Sequence, residues 1–389
     1  MTDTRTTPDG RPLIPGAEAT IREISQQPEV WRETAAIVER QRLDIDGFLA
    51  PLLARDDLRI VLTGAGTSAF AGGVAAPALA RLLGRRFDAV ATTDIVSNPR
   101  DQFAEDVPTL LVSFARSGNS PESVAATRLA DEVLTEVRHL VITCDPAGRL
   151  CREHQDRTES LVVLMTARSN DEGFAMTSSF TSMLLATLLI FGGENPAAVE
   201  ALATAGRSVL TEHWDRLERL ALEDYERIVY LGSGPLAALA REAALKLLEL
   251  TAGAVVSYHD SPLGFRHGPK AVLDENTLVV TFVSSDPYTR NYDLDMLGEL
   301  RALSPERVLA VGTGSLEEGA AVVLDGIEDL GDAFLAVAYI VVAQILALSF
   351  ALRAGTTPDN PFPGGTVNRV VKGVEIHPLD ERPLEQPRR

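Results

Sequence analysis

The stretch RIVLTGAG at 59–66 returns 168 residues later as RIVYLGSG at 227–234. A second stretch, TLLVSF at 109–114, returns at the same offset as TLVVTF at 277–282. Chance matches would not share one offset, so the pattern predicts a domain that is duplicated within the chain.

Short runs rich in β-branched residues surround these stretches and alternate with helical segments. Each run is almost continuously apolar, as expected for parallel strands that are covered on both faces. The alternation predicts two α/β domains in tandem, each a doubly wound parallel sheet flanked by helices. The predicted strands are 59–63, 87–92, 109–114, 139–143 and 160–165 in the first domain, and 227–231, 254–258, 277–283, 307–311 and 320–324 in the second.

The rest of the chain frames these two domains. We predict an N-terminal helical segment at 1–45, a first domain at 46–215, a second domain at 216–355 and a tail at 356–389. The helical pattern of the first segment covers 17–42. The tail is rich in proline and glycine, which predicts one short strand at most. Its polar end at 380–389 is predicted to be disordered.

Composition is that of a globular protein with room for two domains. The chain has 389 residues, of which 45% are hydrophobic and 23% are charged. Its two cysteines, Cys144 and Cys151, fit no metal-binding spacing and make no disulfide framework. The first residues, MTDTRTTPDG, lack the apolar segment of a signal peptide. We therefore expect a cytoplasmic protein.

The net charge of −19 argues against nucleic acid and anionic membranes as partners. An anionic ligand would have to be held by local amides and dipoles, because the overall field repels it. The longest apolar run, 333–352, approaches the length of about 20 residues that a membrane span needs. It occupies the place that the more polar 178–191 has in the first copy, so a buried helix is the better interpretation.

The copies differ most in the segment directly after their second matched strand. The first continues as ARSGNSPES at 115–123, and the second continues as VSSDPYTRN at 283–291. Pro121 suits the first position of a helix, which makes Ser120 its N-cap. Free amides at a helix N-terminus bind anions, so Ser117, Gly118, Asn119 and Ser120 form a candidate phosphate cradle, with Arg116 assisting. An ordinary capped turn would explain this segment alone equally well.

A second candidate is the glycine turn TGAGTSAFAG at 63–72. It follows a strand and invites a dinucleotide-binding interpretation, but its spacing is GxGxxA and GxG recurs at 232–234. One chain rarely needs two cofactors, so the alternative is that Thr67 and Ser68 complete a pocket for a phosphorylated ligand.

These motifs carry a family resemblance. TGAGTS followed by SFARSGNSPES resembles the sugar isomerase (SIS) domain pattern, and GSGPLAALAREAALKLLELTAG at 232–253 with GFRHGPK at 264–270 resembles the second SIS domain of the isomerase half of glucosamine-6-phosphate synthase. GFAMTSSFTSML at 173–184 and PDNPFPGGTVNRVV at 358–371 are similar, more narrowly, to the AgaS family of tagatose-6-phosphate ketose/aldose isomerases. Members of that family are associated with deamination and isomerisation of galactosamine 6-phosphate.

The resemblance implies a set of site residues, position by position. The family's phosphate-binding hydroxyls fall on Ser68, Ser117 and Ser120, while a further serine of that loop falls on Ala115, so one hydrogen bond to phosphate is missing or supplied otherwise. Thr177 falls in the substrate-contacting turn. The carboxylate that moves a proton between C1 and C2 falls on Glu249, the lysine one helical turn earlier on Lys246, the ring-opening histidine on His267, and the lysine near the C-terminus on Lys372.

The residue types suit this chemistry, although purely structural roles for the same residues remain open. Ring opening needs a group that titrates near neutrality, which histidine provides, and proton transfer between adjacent carbons suits one carboxylate. From spacing alone, Glu242, Lys246 and Glu249 could equally be a solvated salt-bridge stripe on a helix. His267 could be a turn residue before Gly268, and Lys372 a surface lysine.

The resulting expectation is a homo-oligomeric sugar-phosphate enzyme, a homodimer at least, that needs no cofactor and no metal. The chain begins MTDTR without the nucleophilic cysteine of a glutaminase domain, which favours a deaminase over a synthase. The expected reaction converts galactosamine 6-phosphate to tagatose 6-phosphate and ammonia. Alternatives are a glucosamine-6-phosphate deaminase or another sugar-phosphate isomerase, and, from a different class, a sugar-phosphate-sensing SIS protein without catalysis.

Overall fold

The computed structural model of the protein describes residues 6–379 apart from residue 8 and residues 317–320. Three helices open the chain, namely α1 (Glu18–Ser25), α2 (Gln27–Arg40) and α3 (Arg42–Leu53). Pro28 lies in the first turn of α2, where the missing N–H of proline costs no helical hydrogen bond. The helix predicted over 17–42 is therefore confirmed, as two helices. The end predicted to be disordered, 380–389, lies outside the described residues.

The first half of the chain builds one parallel sheet. Its strands are β1 (Arg59–Thr63), β2 (Phe87–Ala89), β3 (Thr109–Ala115), β4 (Val137–Thr143) and β5 (Ser160–Leu164). They lie in the order β2-β1-β3-β4-β5, with every neighbouring pair parallel. Every residue of β1 and β3 is buried, as the continuous apolar sequence predicts. Because β1 lies beside β3, the loops that follow them emerge side by side at the carboxyl edge of the sheet.

Helices cover both faces of this sheet. They are α4 (Thr67–Leu83), α5 (Thr92–Ser97), α6 (Pro99–Gln102), α7 (Pro121–Val133), α8 (Arg149–His154) and α9 (Ser178–Gly192). The helix α4 follows β1, and α7 follows β3, so both helices begin at the carboxyl edge of the sheet.

The second half builds a parallel sheet with the same strand order. Its strands are β6 (Arg227–Leu231), β7 (Val256–Asp260), β8 (Thr277–Phe282), β9 (Val308–Gly312) and β10 (Ala321–Val323). They lie as β7-β6-β8-β9-β10, which is the arrangement of the first sheet strand for strand. The expectation of two doubly wound α/β domains is confirmed.

Two helices connect the halves, namely α10 (Pro196–Ser208) and α11 (Trp214–Leu220). The helices of the second half are α12 (Pro235–Leu250), α13 (Pro262–Phe265), α14 (Pro287–Leu303) and α15 (Asp332–Arg353). A boundary near residue 215 would fall inside α11, and the division at that point stays a prediction.

The two matched glycine turns have the same backbone. Gly66 has φ 55° and ψ −125°, and Gly234, 168 residues later, has φ 55° and ψ −127°. A positive φ of this kind strains any residue with a Cβ, so glycine is required at both places. The turns place α4 and α12 equivalently on the two sheets, and these helices pack against one another.

One hydrophobic core runs through both halves, with α15 at its centre. The cluster joins residues such as Leu62 of the first sheet to Tyr230 of the second. Within the described ranges, α15 is the one helix long and apolar enough to cross a membrane, and 94% of its most apolar window is buried. The prediction of a buried helix over 333–352 is confirmed.

Three local predictions differ from the structure. The strand predicted at 254–258 is found at 256–260, because Ala252 and Gly253 adopt positive φ values of 51° and 78° and prolong the preceding turn. The strand predicted at 87–92 ends at Ala89, since Thr92 already begins α5. No strand forms over 354–379, so the short tail strand is wrong in the part that the structure describes.

Candidate active site

The candidate phosphate cradle lies between β3 and α7, at the carboxyl edge of the first sheet. The turn is so tightly packed that a Cβ on Gly148 would lie 2.3 Å from the Ser117 carbonyl oxygen. Gly118, with φ 62°, accepts a hydrogen bond from the Leu150 amide at 2.9 Å. Asn119 turns its side-chain oxygen to the Arg149 amide at 3.0 Å. Asn119 therefore braces the cradle, while Ser117 and Ser120 remain half-buried at its mouth.

The N-terminus of α7 is not capped by a side chain. Ser120 occupies the N-cap position as predicted, but its hydroxyl donates to the Ser123 hydroxyl at 2.6 Å. In the second half, Asp286 caps α14 by accepting the amides of Tyr288 at 3.0 Å and Thr289 at 3.1 Å. A carboxylate of the chain thus fills the second helix terminus, whereas no side chain caps the first.

Thr67 and Ser68, whose hydroxyls are both predicted to line the pocket for a phosphorylated ligand, have different partners at the start of α4. Ser68 is 4% exposed, and its hydroxyl lies 4.0 Å from the Met176 sulfur. The Thr67 hydroxyl turns instead towards the second half, where it donates to Glu242 Oε1 at 3.2 Å. In the second copy the equivalent positions are Pro235 and Leu236, which have no side-chain donors.

Three charged residues of α12 form the centre of the site. Lys246 Nζ lies 2.5 Å from Glu249 Oε2, 2.9 Å from the Thr67 hydroxyl and 3.5 Å from Glu242 Oε1. The side chains of Lys246 and Glu242 are fully buried, while that of Glu249 is 25% exposed. The stripe is therefore not a solvated salt-bridge face. Of the two carboxylates, Glu249 is the one that a ligand can reach.

Burial governs the electrostatics of this cluster. It raises the pKa of Glu242 to about 8, against the lowering effects of Lys246 and the Thr67 hydroxyl. Burial lowers the pKa of Lys246, but the neighbouring Glu242 and Glu249 carboxylates raise it by more, so the ammonium is kept. The cluster thus combines Glu242, whose protonated form burial favours, with a Lys246–Glu249 ion pair.

His267 lies apart from this cluster within one chain. It follows α13 on an exposed turn, where its amide donates to the Gly264 carbonyl at 2.9 Å. Its neighbours Arg266 and Lys270 both pair with Glu299 of α14, which fixes the turn to the second domain. In the part of the chain that the structure describes, no hydrogen bond connects the His267 side chain to Glu249 or to the cradle.

The tail returns to the first domain and passes the cradle. Asp359 accepts the amides of Ala19 at 2.9 Å and Thr20 at 2.8 Å, and Phe362 packs on Phe174 with ring centroids 5.2 Å apart. Arg369 then donates to the Gly173 carbonyl at 3.1 Å. The docked tail brings Lys372 to this side of the molecule.

Lys372 itself is exposed, and it has no hydrogen bond or ion pair among the residues that the structure describes. The structure therefore leaves its predicted role untested.

The turn before α9 has a structural role that its sequence does not show. Thr177 is fully buried, and its hydroxyl donates to Asp171 Oδ1 at 3.1 Å. Asp171 also accepts the amides of Thr177, Ser178 and Ser179, so its carboxylate closes the N-terminus of α9. The substrate contact predicted for Thr177 stays a prediction.

Arg116 is hydrogen-bonded to the turn before α9 and to the tail. The residue is 6% exposed, and its guanidinium donates to the carbonyl oxygens of Phe174 at 3.2 Å and Arg369 at 3.0 Å. Sequence reasoning missed Arg369, Asp171 and the buried state of Glu242, because each depends on contacts between distant segments. The motif PDNPFPGGTVNRVV was the one available signal for Arg369.

Across the described residues, no group of three or more His, Cys, Asp or Glu side chains could hold a metal ion. The groups brought together are amides, hydroxyls, carboxylates and cations. They can bind an anion at the cradle and transfer protons at Glu249.

Comparison with known proteins gives the family. A model of the SIS domain matches residues 52–192 and 221–353. An AgaS protein of Streptomyces coelicolor is 57% identical over 97% of this chain and 100% of its own length. The D-galactosamine-6-phosphate deaminase AgaS of Escherichia coli is 47% identical over 92% of this chain and 95% of its own.

A solved structure agrees with this. The crystal structure of tagatose-6-phosphate ketose/aldose isomerase from Escherichia coli superposes with a TM-score of 0.87 at 44% identity, covering 92% of this chain and 96% of that one. Since the SIS model matches more than half of the chain and AgaS proteins align with nearly all of it, the chain belongs to the AgaS family of enzymes with two SIS domains.

Proposed function

We propose that this protein deaminates galactosamine 6-phosphate, giving tagatose 6-phosphate and ammonia. The observation that carries the proposal is the ion pair between buried Lys246 and half-buried Glu249, which Thr67 ties to the side of the molecule that holds the cradle. The substrate is taken from the AgaS relatives that are named as D-galactosamine-6-phosphate deaminases.

The first requirement is an anchor for the phosphate. In this proposal the uncapped amides of α7 and the hydroxyls of Ser117, Ser120 and Ser68 bind it, which places the sugar carbons towards α12. Asp286 already fills the matching helix terminus of the second half, so one site per chain is expected.

The second requirement is proton transfer within the open-chain amino sugar. Glu249 removes the proton from C2, the C2–H electron pair forms a C1=C2 double bond, and the aldehyde oxygen takes up a proton. Glu249 then returns its proton to C1, which gives an iminium at C2, and loss of one N–H proton to solvent, equal to the one taken up at O1, leaves an imine at C2. Water adds to that imine and ammonia leaves, so the ketone forms with the uptake of one water molecule.

Lys246 serves this step by holding the base. A charge-assisted hydrogen bond of 2.5 Å fixes the Glu249 carboxylate in one orientation. Because Lys246 is buried and also bonded to Thr67, the carboxylate cannot swing away from the cradle side without breaking a buried ion pair.

Ring opening is assigned to His267 of a second subunit. Within one chain, His267 lies on an exposed turn, and no hydrogen bond or ion pair joins it to Glu249 among the described residues. A homodimer that packs this turn over the partner's site would complete the catalytic set. We further propose that the enzyme acts in the cytoplasm, where the charge of a phosphorylated sugar retains it.

The test is ammonia release from purified protein with galactosamine 6-phosphate and, separately, glucosamine 6-phosphate. We expect turnover of the first, and a Glu249→Gln variant should lose about 10²- to 10⁴-fold in kcat because the base is gone. The matched control is Glu132→Gln, an exposed carboxylate of α7. No turnover of either sugar by the unaltered enzyme would refute the deaminase, and preference for the second would change the assigned substrate.

A further inference from the structure

The phosphate cradle is one hydroxyl short at Ala115, and the structure shows cationic groups beside the gap. Ala115 is the last residue of β3 and is 5% exposed. The next residue, Arg116, begins the cradle. A second arginine, Arg369, arrives from the tail, and its carbonyl oxygen accepts a hydrogen bond from Arg116 over a separation of 253 residues.

Arg116 has more donors than partners. A guanidinium carries five N–H groups, and the two described bonds of Arg116 go to the carbonyl oxygens of Phe174 and Arg369. Its Nε is buried with no partner at all. A buried donor without a partner costs free energy, so its retention next to a candidate ligand site points to a group that is bound there in use.

Arg369 likewise binds only neutral groups. Its guanidinium donates to the carbonyl oxygens of Gly173 and Asp171. The residue is exposed overall. Neither Arg116 nor Arg369 makes an ion pair in the described part of the chain.

The carboxylates nearest to Arg116 make their hydrogen bonds and ion pairs with other groups. Asp171 is committed to the N-terminus of α9, and burial raises the pKa of Glu23 to about 8, which leaves it protonated at neutral pH. Glu249 is paired with Lys246. Burial first, and the charge of Arg369 second, lower the pKa of Arg116, against the raising effects of Asp171, Glu249 and Glu23.

We propose that Arg116 and Arg369 form a guanidinium pair that compensates the two negative charges of the substrate's phosphate, and that phosphate binding holds the tail in its docked position. This inference rests on the proposed function for the identity of the ligand, and it assigns Arg369 as a phosphate-binding residue. Guanidinium groups match phosphate oxygens in planar, two-bond geometry, which a serine in place of Ala115 would not supply.

A tail anchor without any phosphate role would make the same protein contacts, so the test measures anion binding apart from turnover. The probe is inorganic phosphate, titrated into wild-type protein and into Arg369→Gln by calorimetry. We expect the Kd for phosphate to rise about 10- to 100-fold in Arg369→Gln, because one charged hydrogen-bonding group is removed. The KM for galactosamine 6-phosphate should rise by the same factor, and Arg369→Lys should recover part of both.

Two controls separate charge from tail placement. Asn368→Ala changes the neighbouring tail residue, whose side chain donates only to Gly365, and should leave phosphate affinity unchanged. Unchanged phosphate affinity in Arg369→Gln would overturn the proposal, and so would an equal loss in Asn368→Ala, since that would trace the effect to tail displacement. Loss of phosphate binding in Arg369→Gln supports the pair even if the enzyme deaminates neither amino sugar, so this failure and that of the deaminase are distinguishable.

Discussion

Glu242 is the buried carboxyl group of the candidate site, and its pKa is strongly raised. It lies fully buried on α12, accepts the Thr67 hydroxyl at Oε1 and leaves Oε2 without a partner. Burial raises its pKa from the usual 4.5 to about 8. The folded protein therefore holds a proton at Glu242, at neutral pH, that the unfolded chain has released.

This proton makes stability depend on pH. Because the folded state binds the proton more tightly than the unfolded state, the free energy of unfolding falls as pH rises between about 4.5 and about 8. In Glu242→Gln the neutral amide has no such cost. We expect the melting temperature of wild type to drop between pH 6 and pH 9 by about 3 °C more than that of Glu242→Gln. Thermal melts at both pH values measure this.

Glu23 contributes in the same direction, since burial and the charge of Asp171 raise its pKa to about 8 as well. Glu242→Gln should therefore flatten the alkaline loss without removing it. Parallel pH curves for wild type and Glu242→Gln would mean that Glu242 is ionised in the folded protein at neutral pH.

The same residue shows where sequence interpretation stops. Spacing places Glu242, Lys246 and Glu249 on one helical stripe, and that much is confirmed. Whether the stripe faces solvent depends on Thr67, which lies 179 residues away from Lys246 in the chain. The sequence indicates a hydroxyl at position 67 but not the direction of its side chain. In the structure this side chain points to the second half and not to the cradle.

At the scale of elements, strands were the easiest part to predict. Every strand that the structure describes lies on or beside a predicted apolar run. A strand such as β3, which is buried throughout, has a continuous apolar sequence, whereas β7 has no fully buried residue. The errors fall where turn geometry decides, as at Ala252 and Gly253 before β7. The position of the tail could not be predicted from the sequence, because it depends on individual hydrogen bonds such as the one that Asp359 accepts from the Thr20 amide.

The helices α7 and α14 make the difference between the two halves testable. Asp286 caps α14 through two amides, whereas α7 has no side-chain cap. Asp286→Ala should therefore cost about 1 kcal/mol of stability, as typical N-caps do, and leave the KM for sugar phosphate unchanged. Ser120→Ala in the first half should raise that KM with little effect on melting temperature.

Melting temperature and KM for both variants give the comparison. Asp286→Asn keeps a capping oxygen and is the control for the stability loss. A several-fold rise of KM in Asp286→Ala would show that the second helix terminus takes part in ligand binding, contrary to a single site per chain.

At the scale of the whole molecule, the two halves share one core and divide the site between them. The first half contributes the cradle and Thr67, and the second contributes Glu249 on α12. The His267 turn of the same second half is exposed and is tied to α14 through Glu299. No hydrogen bond joins the His267 side chain to Glu249 among the described residues, so the proposed mechanism takes this histidine from a second subunit.

The proposed homodimer would supply this histidine from the partner subunit, and mixing two inactive variants tests it. Glu249→Gln lacks the base and His267→Asn lacks the ring-opening group, so each alone should be nearly inactive on galactosamine 6-phosphate. If His267 acts across the interface, a mixed dimer has one site with both defects and one intact site. Unfolding and refolding an equal mixture should then restore about one quarter of wild-type activity, since half the dimers are mixed and each has one working site of two. Each variant refolded alone is the control, and activity no higher than theirs would place His267 in its own chain's site or outside catalysis.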